Sequence, residues 1–175
     1  MFCTGDCVPL LIQQNDGTSD FFNRSWAEFK VGFGDPSGNY WLGNDLLSQL
    51  TASAGRYKLQ FDLQSRSNGN WYRAVYSEFT VLTEADNYRL HVAGYSGNVG
   101  GDVLNQHGGT MFTTYDRDND PWPGNCAQAR GGGFWYSVCG GCAVNGQTQR
   151  NQFRWNGLPG GSDYLQSSRM SLQCR

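Results

Sequence analysis

The chain has 175 residues and a formal charge of −2, enough to bury one hydrophobic core and consistent with a single domain over 1–175. It has no basic run to track a phosphate backbone and no stretch near the roughly twenty apolar residues of a membrane span, so neither nucleic-acid binding nor membrane insertion is expected. Glycine makes up 24 residues and charged residues only 16%. Against a usual glycine share of ~7%, that composition means tight turns and long ordered loops in place of a helical bundle.

Taken along the chain, Ser25-Trp26-Ala27-Glu28 is a capping-box pattern, and it opens a short helix that Gly32 and Gly34 end. Asn44 is placed to cap a second short helix, with Leu46, Leu47 and Leu50 on one face. Tyr57, Leu59, Phe61 and Leu63 then alternate with polar residues, as a half-buried strand does. Asn68-Gly69 is a strong hairpin signal, and Trp71 to Leu82 returns as the partner strand. Tyr88, Leu90 and Val92 alternate in a third strand. The expected class is α+β: an antiparallel sheet with two short helices over about 1–94, then a loop-rich part over about 95–175. Such a long irregular stretch in a compact domain is functional or stapled.

The six cysteines lie at Cys3, Cys7, Cys126, Cys139, Cys142 and Cys174. Their spacing does not follow zinc-finger patterns, and His91 and His107 are the only histidines. Disulfides in an oxidising, extracellular compartment are the better reading. Asn23-Arg24-Ser25 is an N-glycosylation acceptor and agrees with secretion. The opening Met-Phe-Cys-Thr-Gly-Asp-Cys has neither a basic region nor an apolar core, so a secretion signal is expected to lie outside this sequence.

The segment Asp116 to Cys126 carries aspartates at 116, 118 and 120 among Pro121, Pro123 and Gly124. Oxygens on every second residue of a loop can be wrapped around a hard cation. An EF-hand requires glycine at loop position six and glutamate at twelve. Counted from Asp116, those places hold Pro121 and Ala127, so the loop is not an EF-hand. No G-x-S-x-G element is present. Gly131-Gly132-Gly133 lacks the strand-before, helix-after setting of a phosphate loop and reads as a turn. No motif supports an enzyme.

The run His107 to Ala127, with Asp20 to Gly34, Gly38 to Asp45 and Phe134 to Cys139 in order, resembles fibrinogen-related domains, the C-terminal globular domains of fibrinogen chains, ficolins, tachylectins, angiopoietins and tenascins. Similarity covers nearly the whole chain, with Cys3 standing where family members already have about thirty residues behind them, so a domain truncated at its N-terminal end is implied. The resemblance implies Ca2+ held by the side chains of Asp118 and Asp120 and the carbonyls of Trp122 and Gly124, with waters completing the shell and Asp116 behind them or in a loop salt bridge. It also implies a Cys126–Cys139 cystine, worth about 3 kcal/mol for a loop of about fourteen residues. It further implies a cis Val138–Cys139 peptide that aims the amides of Cys139 and Gly140 into a ligand pocket. Cys142 and Cys174, outside the usual family set, could pair with each other, and Cys7 offers Cys3 a local partner.

The pocket departs from the family pattern. Acetyl-binding relatives place histidine where Gly140 stands and tyrosine where Arg130 stands. Fibrin-type relatives use aspartates at the positions of Arg130 and Arg150, where two arginines would repel a peptide's ammonium. Arginines favour carboxylate or sulfate instead. The implied function is a secreted, calcium-dependent, lectin-like domain of innate recognition. It would bind acetylated or anionic glycans on microbial or host surfaces and oligomerise only through upstream regions. The rival expectation is a protein–protein module, as in angiopoietin-like members, that binds a receptor or matrix protein with calcium purely structural.

Overall fold

The computed structural model describes residues 8–53 and 56–175. The expectations for Cys3 and Cys7 fall outside the described residues. Strand β1 (Leu10–Asn15) comes first, followed by helix α1 (Trp26–Val31). The start of α1 is the capping box that the sequence spells: Ser25 Oγ accepts from Glu28 N, and the Glu28 carboxylate accepts from Ser25 N. Short strands β2 (Phe33–Gly34) and β3 (Tyr40–Trp41) precede helix α2 (Asn44–Thr51). Asn44 does not cap α2; Gly43 holds that place without a side-chain bond. The Asn44 amide oxygen instead accepts from the buried Trp41 indole N–H at 3.0 Å, since a buried donor left unmatched costs more than a helix cap gains.

Strands β4 (Tyr57–Ser65) and β5 (Trp71–Val81) form the hairpin around Asn68-Gly69, and β6 (Leu90–Gly97) completes a meander. Tyr88 stands outside β6, with φ 53 at Asn87 and 49 at Tyr88 turning the chain. Its carbonyl accepts from the Trp135 indole at 2.6 Å. Between β6 and Leu165 the elements are short: a 3-10 turn (Leu104–His107), β7 (Phe112–Thr113), α3 (Cys126–Arg130), β8 (Phe134–Trp135), β9 (Cys142–Ala143) and β10 (Arg154–Trp155). Strand β7 pairs with β8, and β9 with β10.

The last strand, β11 (Leu165–Cys174), corrects the expected division of the chain. The seven-stranded sheet runs β2-β3-β1-β11-β4-β5-β6, so the C-terminal segment read as irregular lies inside the sheet between β1 and β4. Two features hid it. The register shifts between Leu165 and Ser167, which interrupts the alternation. A serine, Ser168, then takes an inward position, where its hydroxyl accepts from Gln13 Nε2 at 3.0 Å.

One sheet face carries Leu59, Phe61, Leu63, Ala74, Tyr76, Met170 and Leu172 into the core. The helices and loops pack on that side. The opposite face, with Gln60, Asp62, Gln64, Trp71, Arg73 and Arg169, is open to solvent. The loop half is anchored by aromatic rings. Phe112 meets Phe29, Trp41 and Trp135 at centroid separations of 5.1, 5.8 and 5.1 Å. Truncating so central a ring leaves a cavity that the irregular backbone cannot close. Phe112→Ala is therefore expected to destabilise the domain by about 3–5 kcal/mol in chemical denaturation.

Candidate functional site: the acidic loop and the disulfide pocket

The acidic loop is held at both ends by side chains that replace missing secondary structure. Asn119 donates through Nδ2 to the Phe112 carbonyl at 2.8 Å. Asn125 caps α3, accepting from Gln128 N at 2.9 Å, and donates to the Thr114 carbonyl at 3.0 Å. Asp116 makes no ion pair among the described residues. Its Oδ1 accepts from Trp26 N at 2.9 Å and from Thr114 Oγ1 at 2.7 Å. The loop is thereby fastened to the first turn of α1, where a carboxylate is favoured by exposed amides.

Asp118 and Asp120 stand side by side. Asp120 N donates to Asp118 Oδ1 at 3.3 Å, and Asp120 accepts from Trp122 N at 3.1 Å and Cys126 N at 2.9 Å. Burial, and then the neighbouring Asp118 charge, push the Asp120 carboxyl above its ordinary range. Among the described residues no lysine, arginine or histidine forms a salt bridge with either aspartate. The carbonyls of Trp122 and Gly124 accept no backbone hydrogen bond there. Two adjacent carboxylates without a cationic partner, with two uncommitted carbonyls close in sequence, are a donor set suited to a hard cation. The Trp122 ring folds over Gly124, where an added Cβ would lie 2.6 Å from it.

Cys126 and Cys139 form the disulfide. The Val138–Cys139 peptide departs from the family expectation: no cis peptide bond occurs among the described residues, and the turn is made by a left-handed Cys139 with φ 55. The amides of Cys139 and Gly140 have no hydrogen-bond acceptor among the described residues. Beside Gly140 lies open space, and Val138 is 63% exposed. Arg130, expected to face a ligand, is turned onto its own chain, where Nη2 donates to the Cys139 carbonyl and Nη1 to Gln152 Oε1. The Arg130–Arg150 pairing read from sequence is not what the fold assembles. The positive neighbour that Arg130 senses is Arg154, and Arg150 is exposed on a turn. Gln152 and Arg154 were missed because nothing in their local sequence marks them; only the β9–β10 hairpin brings them close.

The expected Cys142–Cys174 bridge is also corrected. Cys142 is a free, buried thiol, whereas Cys174 is disulfide-bonded. Cys142 Sγ lies 3.7 Å from His107 Nε2, and the same ring holds the Trp135 carbonyl at 2.6 Å through Nδ1. Burial pushes the thiol far up and the imidazole down, so both are neutral packing groups. His107 is structural, bridging the Trp135 carbonyl and Cys142 N. Gly131-Gly132-Gly133 is a close-packing turn: added Cβ atoms would strike the Gln147 side chain, the Asn145 carbonyl and the Phe29 ring. Asn23 is exposed just before α1.

The acidic loop and the disulfide pocket thus sit on loops packed against an antiparallel sheet, with Cys142 and His107 buried and neutral beneath them. A family model described as fibrinogen beta and gamma chains, C-terminal globular domain, matches residues 1–174, and the chain belongs to that family of non-enzymatic binding domains. It is 39% identical to bovine (Bos taurus) angiopoietin-4 over 93% of the chain and 34% of that protein. It is 39% identical to human (Homo sapiens) angiopoietin-2 over 85% and 30%. It therefore spans about a third of these relatives. The fibrinogen-like globe domain of human ANGPTL6 superposes with TM-score 0.84 at 35% identity, covering 94% of this chain and 77% of that one. Lamprey fibrin D-dimer, complexed with the peptide Gly-His-Arg-Pro-amide, superposes with TM-score 0.80 at 27% identity, covering 94% and 60%. No helix among the described residues is long and apolar enough to cross a membrane.

The cysteine assignment is checked by alkylation and peptide mapping. Cys142 is expected to react only after denaturation, and Cys126 to be recovered linked to Cys139. Rapid labelling of Cys142 in the folded domain would contradict its burial.

Proposed function

We propose that the domain is an extracellular protein-recognition module whose loop-rich surface engages a receptor or matrix protein, with calcium serving structure. The observation that carries this reading is Arg130. Its guanidinium ties the Cys139 carbonyl to Gln152, so the group best suited to an anionic or acetylated sugar is committed to holding the pocket loop. Nearby loops instead expose apolar and aromatic surface, with Tyr115 and Trp122 each 41% accessible. A cleft of about 350 Å³ at the acidic loop is lined by residues that include Arg89, Met111, Asn119, Asp120 and Pro121. Tyrosine and tryptophan are the residues that most often dominate protein interfaces. The resemblance to angiopoietins and the extracellular placement implied by the disulfides agree with this reading.

Calcium would be held by Asp118, Asp120 and the carbonyls of Trp122 and Gly124, supplying the positive charge that the paired aspartates lack. Its effect would be on the order of the surface, since Asp120 also fixes Cys126 N at the start of α3. With two carboxylates, a Kd of roughly 10⁻⁴–10⁻³ M is expected, as in extracellular modules. A cation bound only by the folded state stabilises it by mass action. Chelator is therefore expected to lower the melting temperature of the wild type and leave Asp118→Asn/Asp120→Asn unchanged; identical curves with and without chelator would remove calcium from the reading.

Recognition is tested by measuring the domain against a panel of receptor ectodomains and a glycan array in parallel, in calcium. The expected result is a protein partner whose binding falls at least tenfold in Trp122→Ala and little in Val138→Ser, with no calcium-dependent binding on the array. Calcium-dependent glycan binding lost in Arg130→Ala would reinstate the lectin reading.

A further inference from the structure

The open face of the sheet carries a second cluster, remote in sequence from the acidic loop. Antiparallel register places Arg169 of β11, Asp62 of β4 and Arg73 of β5 in one cross-strand row. Trp71, opposite Gln64 in the neighbouring row, is 45% exposed. The Arg169 guanidinium lies 5.6 Å from the Trp71 ring centroid. Among the described residues Arg169 forms no salt bridge. Asp62 pairs with Arg73, its Oδ1 accepting from Arg73 Nε at 3.0 Å and its Oδ2 from Gln60 Nε2 at 2.7 Å, so the charge left uncompensated in the row is that of Arg169. A protein of net charge −2 thus sets two guanidinium groups against one committed carboxylate around an exposed indole.

Two clefts flank the Trp71–Arg73 ridge. One, of about 300 Å³, is lined by Asp62, Trp71, Arg73 and Arg169; the other, of about 480 Å³, continues across Tyr72, Val75, Ser96 and Asn98. We propose that this face is a binding site for a sulfated oligosaccharide of the glycosaminoglycan type, whose ring packs on Trp71 while its anionic substituents take the forks of Arg73 and Arg169. Three observations select that ligand class. The indole offers a flat apolar surface to a ring. The guanidinium groups offer paired donors that match sulfate and carboxylate oxygens. Ser96 and Asn98 can both donate and accept, as sugar hydroxyls require. A peptide is disfavoured because β4, β5 and β11 are interior strands; they present no free edge for strand addition. The site is separate from the acidic loop, so its occupancy is independent of calcium.

The test is titration calorimetry of the domain with a heparin hexasaccharide, its fully desulfated counterpart and a sulfotyrosyl peptide, each with and without chelator. The sulfated sugar is expected to bind, to weaken as salt rises, and to lose at least tenfold in affinity in Trp71→Ala and in Arg169→Gln. Arg130→Ala and chelator are expected to leave it unchanged. If Trp71→Ala loses its cooperative melt, Arg169→Gln on the exposed surface decides alone. The proposal is overturned by equal binding of the desulfated sugar, by preference for the peptide, by absence of binding, or by full affinity in Arg169→Gln.

Discussion

The packing of Phe112 and Trp135 against Trp41 and Phe29 is the contact on which the rest of this domain depends. Strands β7 and β8 are each two residues long and could not hold the loop half by backbone pairing. Ring burial supplies what the ladders lack, since aromatic side chains bury large areas and lose few rotamers. The cluster also places its own polar handles: the Trp41 indole is matched by Asn44 and the Trp135 indole by the Tyr88 carbonyl. Each satisfied donor fixes a piece of chain that has no regular structure of its own.

A second set of contacts ties the disulfide pocket to the sheet. Gln13 Nε2 on β1 donates to the Val144 carbonyl at 3.1 Å and to Asn145 Oδ1 at 3.0 Å, while Asn15 Nδ2 reaches the same Val144 carbonyl at 3.0 Å. Asn145 passes the connection on to the Gly133 carbonyl. Buried amides bridging loop carbonyls make such a network rigid when every member is satisfied. Arg130 continues this logic on the outer side of the pocket, holding the Cys139 carbonyl from the C-terminal end of α3. The pocket loop is therefore clamped from within by the sheet and from outside by its own helix.

The acidic loop and the open sheet face differ in how they are built. The acidic loop draws its donors from residues close in sequence, so its geometry is carried by turns, asparagine side chains and a disulfide. The open sheet face assembles Trp71, Arg73, Asp62 and Arg169 from three strands, and its geometry is carried by register. The first surface is sensitive to whatever orders the loop. The second is as rigid as the hydrogen-bonded ladder beneath it.

Local chemistry was legible in the sequence wherever neighbours in the chain are also neighbours in space. The Ser25–Glu28 capping box, the Asn68-Gly69 hairpin, the β4 alternation and the pairing of Asp118 with Asp120 all belong to this kind, because short-range hydrogen bonding and periodicity decide them. Tertiary packing decided the others. A register shift and an inward Ser168 concealed β11, since its polar inward residue is tolerated only because Gln13, far away in the chain, supplies a donor. Arg130 was read as displayed, yet Gln152 and the Cys139 carbonyl turned it inward, and Cys142 was left unpaired because the fold seats it against His107. Nothing near these residues in sequence encodes those partners; they meet only when the aromatic core brings the loops onto the sheet.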